Sequence, residues 1–213
     1  MILGSSAFVY RKKGTKEYIS KNLTEGIEVE PIRVDISLVN TSNELNIEGL
    51  KKWQPQFAEA TFVLEQDVYF VGREVEKMSK SKYNVVSPDL ICEEYGADTL
   101  RMYEMFLGPL EQAKPWNTAG ISGVHSFLKK LWRLYHPNDQ FSVSKEPASK
   151  ESLKSLHQTI KKVTEDIENF SFNTCISSFM ICVNELTAQK CNEKEILEPL
   201  AVLLAPFAAH FSE

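Results

Sequence analysis

The sequence lacks any long hydrophobic run, and this absence bounds where the protein can reside. Of its 213 residues, 43% are hydrophobic and 25% are charged, which is ordinary for a globular protein. No apolar stretch approaches the roughly 18 residues that a membrane-spanning helix needs. The first residues show no basic segment and no hydrophobic core of signal-peptide length. We therefore expect a cytosolic protein with no membrane partner.

Cysteine is scarce, and its spacing does not suit a disulfide framework or a zinc site. The four residues Cys92, Cys175, Cys182 and Cys191 form no Cys-x-x-Cys pair. Structural zinc sites and secreted disulfide scaffolds need paired, regularly spaced cysteines. We predict reduced, buried thiols and no metal ligands.

Two nucleotide-binding motifs are also missing, as is an overall basic charge. Neither Gly-x-x-x-x-Gly-Lys-Ser/Thr nor Gly-x-Gly-x-x-Gly occurs, which sets aside a kinase-like nucleotide binder. The 24 lysines and arginines against 29 acidic residues give a net charge of −5. A general nucleic-acid coat is therefore excluded, whereas a local basic surface is not. Because both ends break off inside an apolar pattern, we expect a section of a longer chain.

Residues 8–72 are dominated by short segments typical of strands. Ile32, Val34, Ile36 and Leu38 alternate with polar residues, which predicts a half-buried strand. A short helix that ends before Pro55 is expected between the later strands. The strand segments are AFVY, EYIS, IEVEPIRVDISLV, ATFVLE and DVYFVG.

From residue 87 onward the pattern is helical. Ser87 and Pro88 suit the start of a helix that ends at Gly96, and Asp98 is placed to cap the next. Beyond residue 120, apolar residues recur at spacings of three and four in four stripes, with Asn173 as the expected cap of the third. Each stripe must be buried against a neighbour, which predicts an antiparallel bundle. The fold class is α+β, mainly α.

The stretch EVEKMSKSKYNVVSPD, residues 74–89, is too charged for a core strand and too specific for a linker. Lys77 and Lys80 are flexible point charges of the kind that binds phosphate. Ser79 and Ser81 are small enough to let the backbone approach an anion, and Met78 can anchor the loop. By composition alone, a solvated charge run before a helix is the commoner explanation.

The letters KMSKS followed by KYNVVSPD resemble the signature loop of the class I aminoacyl-tRNA synthetases. The segment YGADTLRMYEMFLGPLEQAKPWNTAGISGVHSFLKKLWRLY resembles the leucyl members more than the isoleucyl, valyl or methionyl ones. The ending LLAPFAAHFSE resembles a late motif of their helical bundle. The resemblance covers most of residues 72–213, whereas residues 11–72 match by position more than by letters.

The resemblance implies four parts. Residues 1–10 would end the Rossmann-type catalytic domain, and 11–72 would be a small β-rich inserted domain, similar to the leucine-specific one. Residues 73–115 would hold the signature loop and connector helices. Residues 116–213 would be a helical-bundle tRNA-binding domain, truncated at its C-terminus.

The resemblance also implies a reaction, in which leucine and ATP give leucyl-adenylate and pyrophosphate before transfer to tRNA(Leu). Mg²⁺ accompanies ATP in the family, and the expected state is a monomer. Lys80 would contact the ATP phosphates and Lys77 would support the same charge, so both would be catalytic. Met78, Ser79 and Ser81 would complete the ATP-binding loop.

One family signature is absent, since none of the four histidines lies in a His-x-Gly-His motif. The leucine pocket and the editing domain are missing too. We therefore expect the chain to be inactive in isolation. The alternative is a non-catalytic helical module that binds RNA or protein, with the lysine-rich segment as a surface epitope.

A basic stripe marks the first helix of the predicted bundle. Lys129, Lys130 and Arg133 share one face, opposite the apolar stripe. Such a face can neutralise several phosphates, although an ordinary solvated helix face has the same composition. In the family this bundle contacts tRNA, which implies contacts to the RNA backbone.

Overall fold

The computed structural model describes residues 2–213, which divide into two compact units. The strand module comprises Ile2–Val86 and Ala113–Trp116, and the helical unit comprises Ser87–Gln112 and Asn117–Glu213. The fold class predicted from the sequence is confirmed. The four predicted domain boundaries stay predictions. Among residues 2–213, no helix combines the length and the apolar character required to cross a lipid bilayer.

The strand module is organised around its first strand. The strands are β1 (Ile2–Lys12), β2 (Glu17–Ile19), β3 (Val29–Val34), β4 (Thr61–Val63), β5 (Gly72–Glu76) and β6 (Lys114–Pro115). Ala7, in the middle of β1, faces Val34 of β3 and Arg73 of β5 in antiparallel pairs, so this strand is paired along both edges. Strand β4 extends the sheet parallel to β2, and β6 pairs with Ile2 and Leu3.

Two strand predictions are wrong in their extent. The alternating pattern predicts a strand as far as Leu38, but β3 ends at Val34. The Asp35 carboxylate accepts a hydrogen bond from the Ser37 backbone N–H at 2.9 Å, and this local bond starts a 3-10 turn instead. The segment DVYFVG is likewise no regular strand, since Asp67 has a positive φ of 65° and β5 begins only at its last residue.

Aromatic side chains fill the core of the strand module. The rings of Tyr18 and Phe57 lie 5.4 Å apart, centroid to centroid. Tyr69 is 1% exposed, and its hydroxyl accepts a hydrogen bond from Tyr10 N and donates one to Ile19 O, at 3.0 and 2.7 Å. Burial raises the pKa of Tyr69, so this hydroxyl stays protonated and bridges two strands.

The helices begin and end near the predicted places. Pro88 opens the first helix of the helical unit and Gly96 follows its end, whereas the predicted cap Asn173 lies inside its helix, which Ser171 precedes. Helix α1 (Ile47–Trp53) belongs to the strand module. The helical unit contains α2 (Pro88–Tyr95), α3 (Ala97–Phe106), α4 (Ile121–Tyr135), α5 (Lys150–Glu168), α6 (Phe172–Ala188), α7 (Lys194–Leu204) and α8 (Ala209–Ser212).

Helices α5 and α6 form an antiparallel pair, as three contacts show. Ser152 Oγ bonds Gln189, Cys182 Sγ lies 4.0 Å from Ser155 O, and Cys175 Sγ lies 3.9 Å from Val163 O. Sequence numbers therefore rise along one helix as they fall along the other. The predicted burial is confirmed for Cys175, Cys182 and Cys191, whereas Cys92 is only partly buried. Burial raises the pKa of Cys175 to about 11, which keeps its thiol protonated.

Asp98 caps a different helix from the one predicted. It is the second residue of α3, and its carboxylate oxygens accept hydrogen bonds from the backbone N–H groups of His210 and Phe211, at 3.3 and 2.7 Å. Asp98 thus satisfies the free N–H groups at the start of α8. Periodicity could not reveal this cap, because the two segments are more than 100 residues apart in the chain.

Loss of the Tyr69 hydroxyl should weaken the strand module measurably. Tyr69→Phe leaves the part-buried N–H of Tyr10 and the buried C=O of Ile19 without this partner. We expect the free energy of unfolding to fall by about 1–3 kcal/mol. Urea unfolding of the 213-residue chain tests this, with Tyr83→Phe as a control at a ring that is 37% exposed. Equal effects of both substitutions would contradict the bridging role.

Candidate functional site

The lysine-rich segment forms a loop between β5 and α2, here called the lysine loop (residues 77–86). Lys80–Lys82 make a single 3-10 turn, and Tyr83 ends that turn in the left-handed region with a φ of 55°. This conformation reverses the chain direction. The residue that follows, Asn84, therefore returns to the beginning of the loop.

Asn84 anchors the lysine loop from inside. Its side chain is 1% exposed, and its Oδ1 accepts a hydrogen bond from Ser79 N at 2.8 Å. Its Nδ2 donates to Ser6 Oγ at 2.9 Å and to Lys77 O at 3.3 Å. The two bonds within the loop go to backbone atoms on either side of Met78, so they set the backbone path there.

Tyr83 supplies a second anchor, at the far side of the loop. Its carbonyl oxygen accepts a hydrogen bond from Ile36 N at 2.9 Å. Its ring meets Trp53 of α1 edge-on, with centroids 4.9 Å apart. The turn that replaces the predicted end of β3 therefore holds the loop as well.

Glu76, the last residue of β5, collects three donors at the start of the loop. Its carboxylate accepts hydrogen bonds from Ser6 Oγ and from Lys82 Nζ, and Arg33 Nε lies 3.3 Å away. The hydrogen bond from Lys82, then those from Ser6 and Arg33, lower the pKa of Glu76 to about 2. Glu76 is therefore ionised at neutral pH and neutralises Lys82.

The other two lysines of the loop are presented to solvent. Lys77 and Lys80 are exposed, and among residues 2–213 no ion pair involves either ammonium group. The hydroxyls of Ser79 and Ser81 lie 2.8 Å apart, and Met78 is half-buried. Two mobile cations beside two hydroxyls suit a ligand with several negative charges, such as a polyphosphate.

The described residues offer no evident metal centre. Within residues 2–213, no three His, Cys, Asp or Glu side chains come together to ligate an ion. The carboxylate beside the loop, Glu76, is already occupied by Lys82. The chemistry available at the loop is therefore cationic.

The basic stripe lies on α4, and the structure distinguishes its three members. Lys129 and Arg133 are exposed, whereas Lys130 is half-buried and donates to Asn184 Oδ1 on α6 at 2.6 Å. Beside them, Trp132 is 47% exposed. Within residues 2–213, no ion pair involves Lys129 or Arg133, whereas Lys130 is held by its bond to α6.

Reasoning from the sequence missed the residues that support the lysine loop. Asn84 directly follows KMSKSKY, and the change from charged to polar and apolar residues there is the only local hint. Ser6 lies 78 positions earlier in a strand pattern, where a small residue attracts no attention. Glu76 looks like one more surface charge in EVEK. Contacts across so many residues cannot be recovered from periodicity.

Two family models match the chain. One is described as tRNA synthetases class I (I, L, M and V) and matches residues 66–117, which contain the lysine loop. The other is the anticodon-binding domain of tRNA ligase and matches residues 149–213, which contain α5 to α8. The chain belongs to the class I tRNA synthetases.

Individual relatives narrow this class. The leucine–tRNA ligase of Christiangramia forsetii is 71% identical over the whole chain, and that of Flavobacterium johnsoniae is 64% identical. The chain spans about 22% of the length of these relatives. A solved structure of Agrobacterium radiobacter K84 agnB2 LeuRS, in a ternary complex with tRNA and LeuAMS, is 32% identical with a TM-score of 0.55. That match covers 65% of this chain and 20% of the solved one. Over its whole length, the chain is thus similar to a section of these leucine–tRNA ligases.

The low pKa of Glu76 predicts how the loop responds to acid. Because the folded-state pKa, about 2, lies below the ordinary 4.5, the stabilisation is present above pH 4.5 and is lost as the pH falls toward 2. We expect the Glu76 carboxyl carbon to titrate near pH 2 by NMR. Lys82→Met should move this midpoint upward, since the Lys82 hydrogen bond contributes most. A midpoint near 4.5 in the unaltered chain would contradict the assignment.

Proposed function

We propose that this chain is part of a leucine–tRNA ligase, which activates leucine with ATP and transfers it to tRNA(Leu). The observation that carries the proposal is the lysine loop, which holds KMSKS on an anchored backbone with two exposed lysines. The 71% identical relative and the class I family model support it. We further propose a cytoplasmic monomer whose residues 11–72 form an inserted domain.

The loop would act on charge that develops during activation. The leucine carboxylate attacks the α-phosphorus of ATP, the bond to the bridging oxygen breaks, and negative charge moves onto the departing pyrophosphate. Lys80 Nζ would close on this charge and Lys77 would reinforce it. Stabilisation made only in the transition state accelerates the reaction without tightening ground-state binding. The small side chains of Ser79 and Ser81 would let the loop backbone approach the phosphates.

Magnesium does not fit the described side chains of the lysine loop. Ammonium groups repel the ion, and Glu76 is neutralised by Lys82. Mg²⁺ would therefore arrive with the phosphates of ATP, and the chain's own contribution is to supply positive charge and hydroxyl groups.

The remaining parts of the reaction would come from other regions of the ligase. This chain has no His-x-Gly-His motif, and none of its described residues is assigned to a leucine pocket or an editing site. The chain alone would supply the phosphate-binding loop without its catalytic counterpart. We propose that it is inactive in isolation.

The helical unit would bind tRNA. The anticodon-binding family model covers α5 to α8, and the similar LeuRS was solved with tRNA. On α4, Lys129 and Arg133 are exposed and form no ion pair among the described residues 2–213, whereas Lys130 already bonds Asn184. We propose that Lys129 and Arg133 contact the RNA backbone and that Lys130 contributes less to tRNA binding.

The three lysines of the loop should differ in their effects on activation. Lys80→Ala should slow leucyl-adenylate formation by about 10²–10³ while leucine binding changes little, because the lost interaction forms in the transition state. Lys77→Ala should act in the same direction, more weakly. Lys82→Ala should do least, since Lys82 is paired with Glu76. Pyrophosphate-exchange kinetics of the ligase containing this chain provide the measurement. Equal effects at Lys80 and Lys82 would show that the loop supplies only diffuse charge.

Charge reversal on α4 should weaken tRNA binding. We expect Lys129→Glu with Arg133→Glu to lower the affinity of the ligase and to reduce the slope of log K against log salt by about 2. Lys130→Ala should have a smaller effect. The matched control is Lys21→Glu with Lys52→Glu, which makes the same change in net charge on exposed positions of the strand module. A salt titration in which both double variants behave alike would identify α4 as an ordinary solvated face.

A further inference from the structure

We propose that Asn84 is a positioning residue for the phosphate-binding lysines of the loop. This inference rests on the proposed function of Lys77 and Lys80, and adds the residue through which their backbone is held. Asn84 itself is buried, so it would act on ATP only through the loop that it supports.

The chemistry of the side chain at position 84 is narrowly constrained. The amide uses its oxygen as an acceptor from Ser79 N and its nitrogen as a donor to both Ser6 Oγ and Lys77 O. An aspartate has the same shape but no donors, so two of the three partners would face a carboxylate oxygen. A glutamine carries the right groups on a longer stem. The site therefore fits an asparagine specifically.

The bonds of Asn84 close the loop into a ring. Lys77 O and Ser79 N–H bracket Met78, and Asn84 itself follows the turn that contains Lys80. Lys80 thus extends from a backbone fixed both before and after it. Because this backbone is fixed, less conformational freedom is lost when the Lys80 ammonium group binds its ligand.

Two small residues of strand β1, Gly4 and Ser6, contact or closely approach Asn84. Ser6 is 0% exposed and links Asn84 to Glu76. Its hydroxyl accepts a hydrogen bond from Asn84 Nδ2 and donates one to the Glu76 carboxylate. At Gly4, a Cβ atom would lie 2.8 Å from the Asn84 carbonyl oxygen and 3.0 Å from its Cγ. Glycine is needed there for this close approach of backbone to backbone.

The test compares variants of the ligase that contains this chain, using leucine-dependent pyrophosphate exchange and hydrogen–deuterium exchange of the Ser79 amide. Asn84→Asp should lower kcat by about tenfold to a hundredfold with an unchanged KM for leucine, and should speed exchange at Ser79. Gly4→Ala should also lower kcat and speed exchange at Ser79, because it displaces Asn84 without altering any residue of the loop. Tyr69→Phe, which weakens the same module away from the loop, should leave kcat within about twofold.

A double-variant cycle separates positioning from a merely structural role. If Asn84 acts through Lys77 and Lys80, Asn84→Asp should cost less than about twofold in a background that carries both Lys77→Ala and Lys80→Ala. An undiminished cost in that background overturns the inference, as does a normal rate for Asn84→Asp or Gly4→Ala when Lys80→Ala is slow. A normal rate for Lys80→Ala itself overturns the proposed function of the loop, and this inference with it.

Discussion

The lysine loop depends on the complete pairing of one buried amide. Asn84 is removed from water, and an unpaired polar group at such a position costs roughly 1–3 kcal/mol. Each of its three hydrogen bonds therefore matters more than an exposed one would. Because two of them end on the loop backbone, the conformation that satisfies the amide is also the one that shapes the loop. An otherwise hydrated, charged segment thereby acquires a defined path.

This pairing requires the correct register between β1 and β5. Gly4 lies opposite Glu76 and Ser6 lies opposite Glu74, so residues 4 and 6 present the same face of the strand to the loop. A slip of one residue would turn both to the other face. Strand β1 has eleven residues and is paired on both edges, so a slip would break many hydrogen bonds. The sheet thus fixes the positions of Gly4 and Ser6 under the loop.

Helical periodicity could be predicted from the sequence, whereas a side chain that competes for its own backbone, and partners distant in the chain, could not. The four apolar stripes became α4 to α7, because helical periodicity reflects burial directly. The strand predicted over Ile32 to Leu38 ends at Val34, because the Asp35 side chain takes the hydrogen bond of a nearby backbone N–H. Asp98 fits a helix start in sequence, yet its carboxylate serves helix α8. The lysines of the loop were recognisable by type, but their partners lie in β1 and β5.

The lysine loop contains three lysines with the same side chain, and their surroundings decide which of them can bind an anion. Glu76 holds Lys82 in a hydrogen-bonded pair, which removes one positive charge from the loop and ties its turn to β5. Lys77 and Lys80 are exposed, and within residues 2–213 no acidic side chain forms an ion pair with either of them. A polyphosphate that approached the loop would thus meet two cations on flexible stems above a backbone held by Asn84 and Glu76. Flexible stems let the ammonium groups follow charge as it moves, while the fixed backbone limits the entropy lost when they do so.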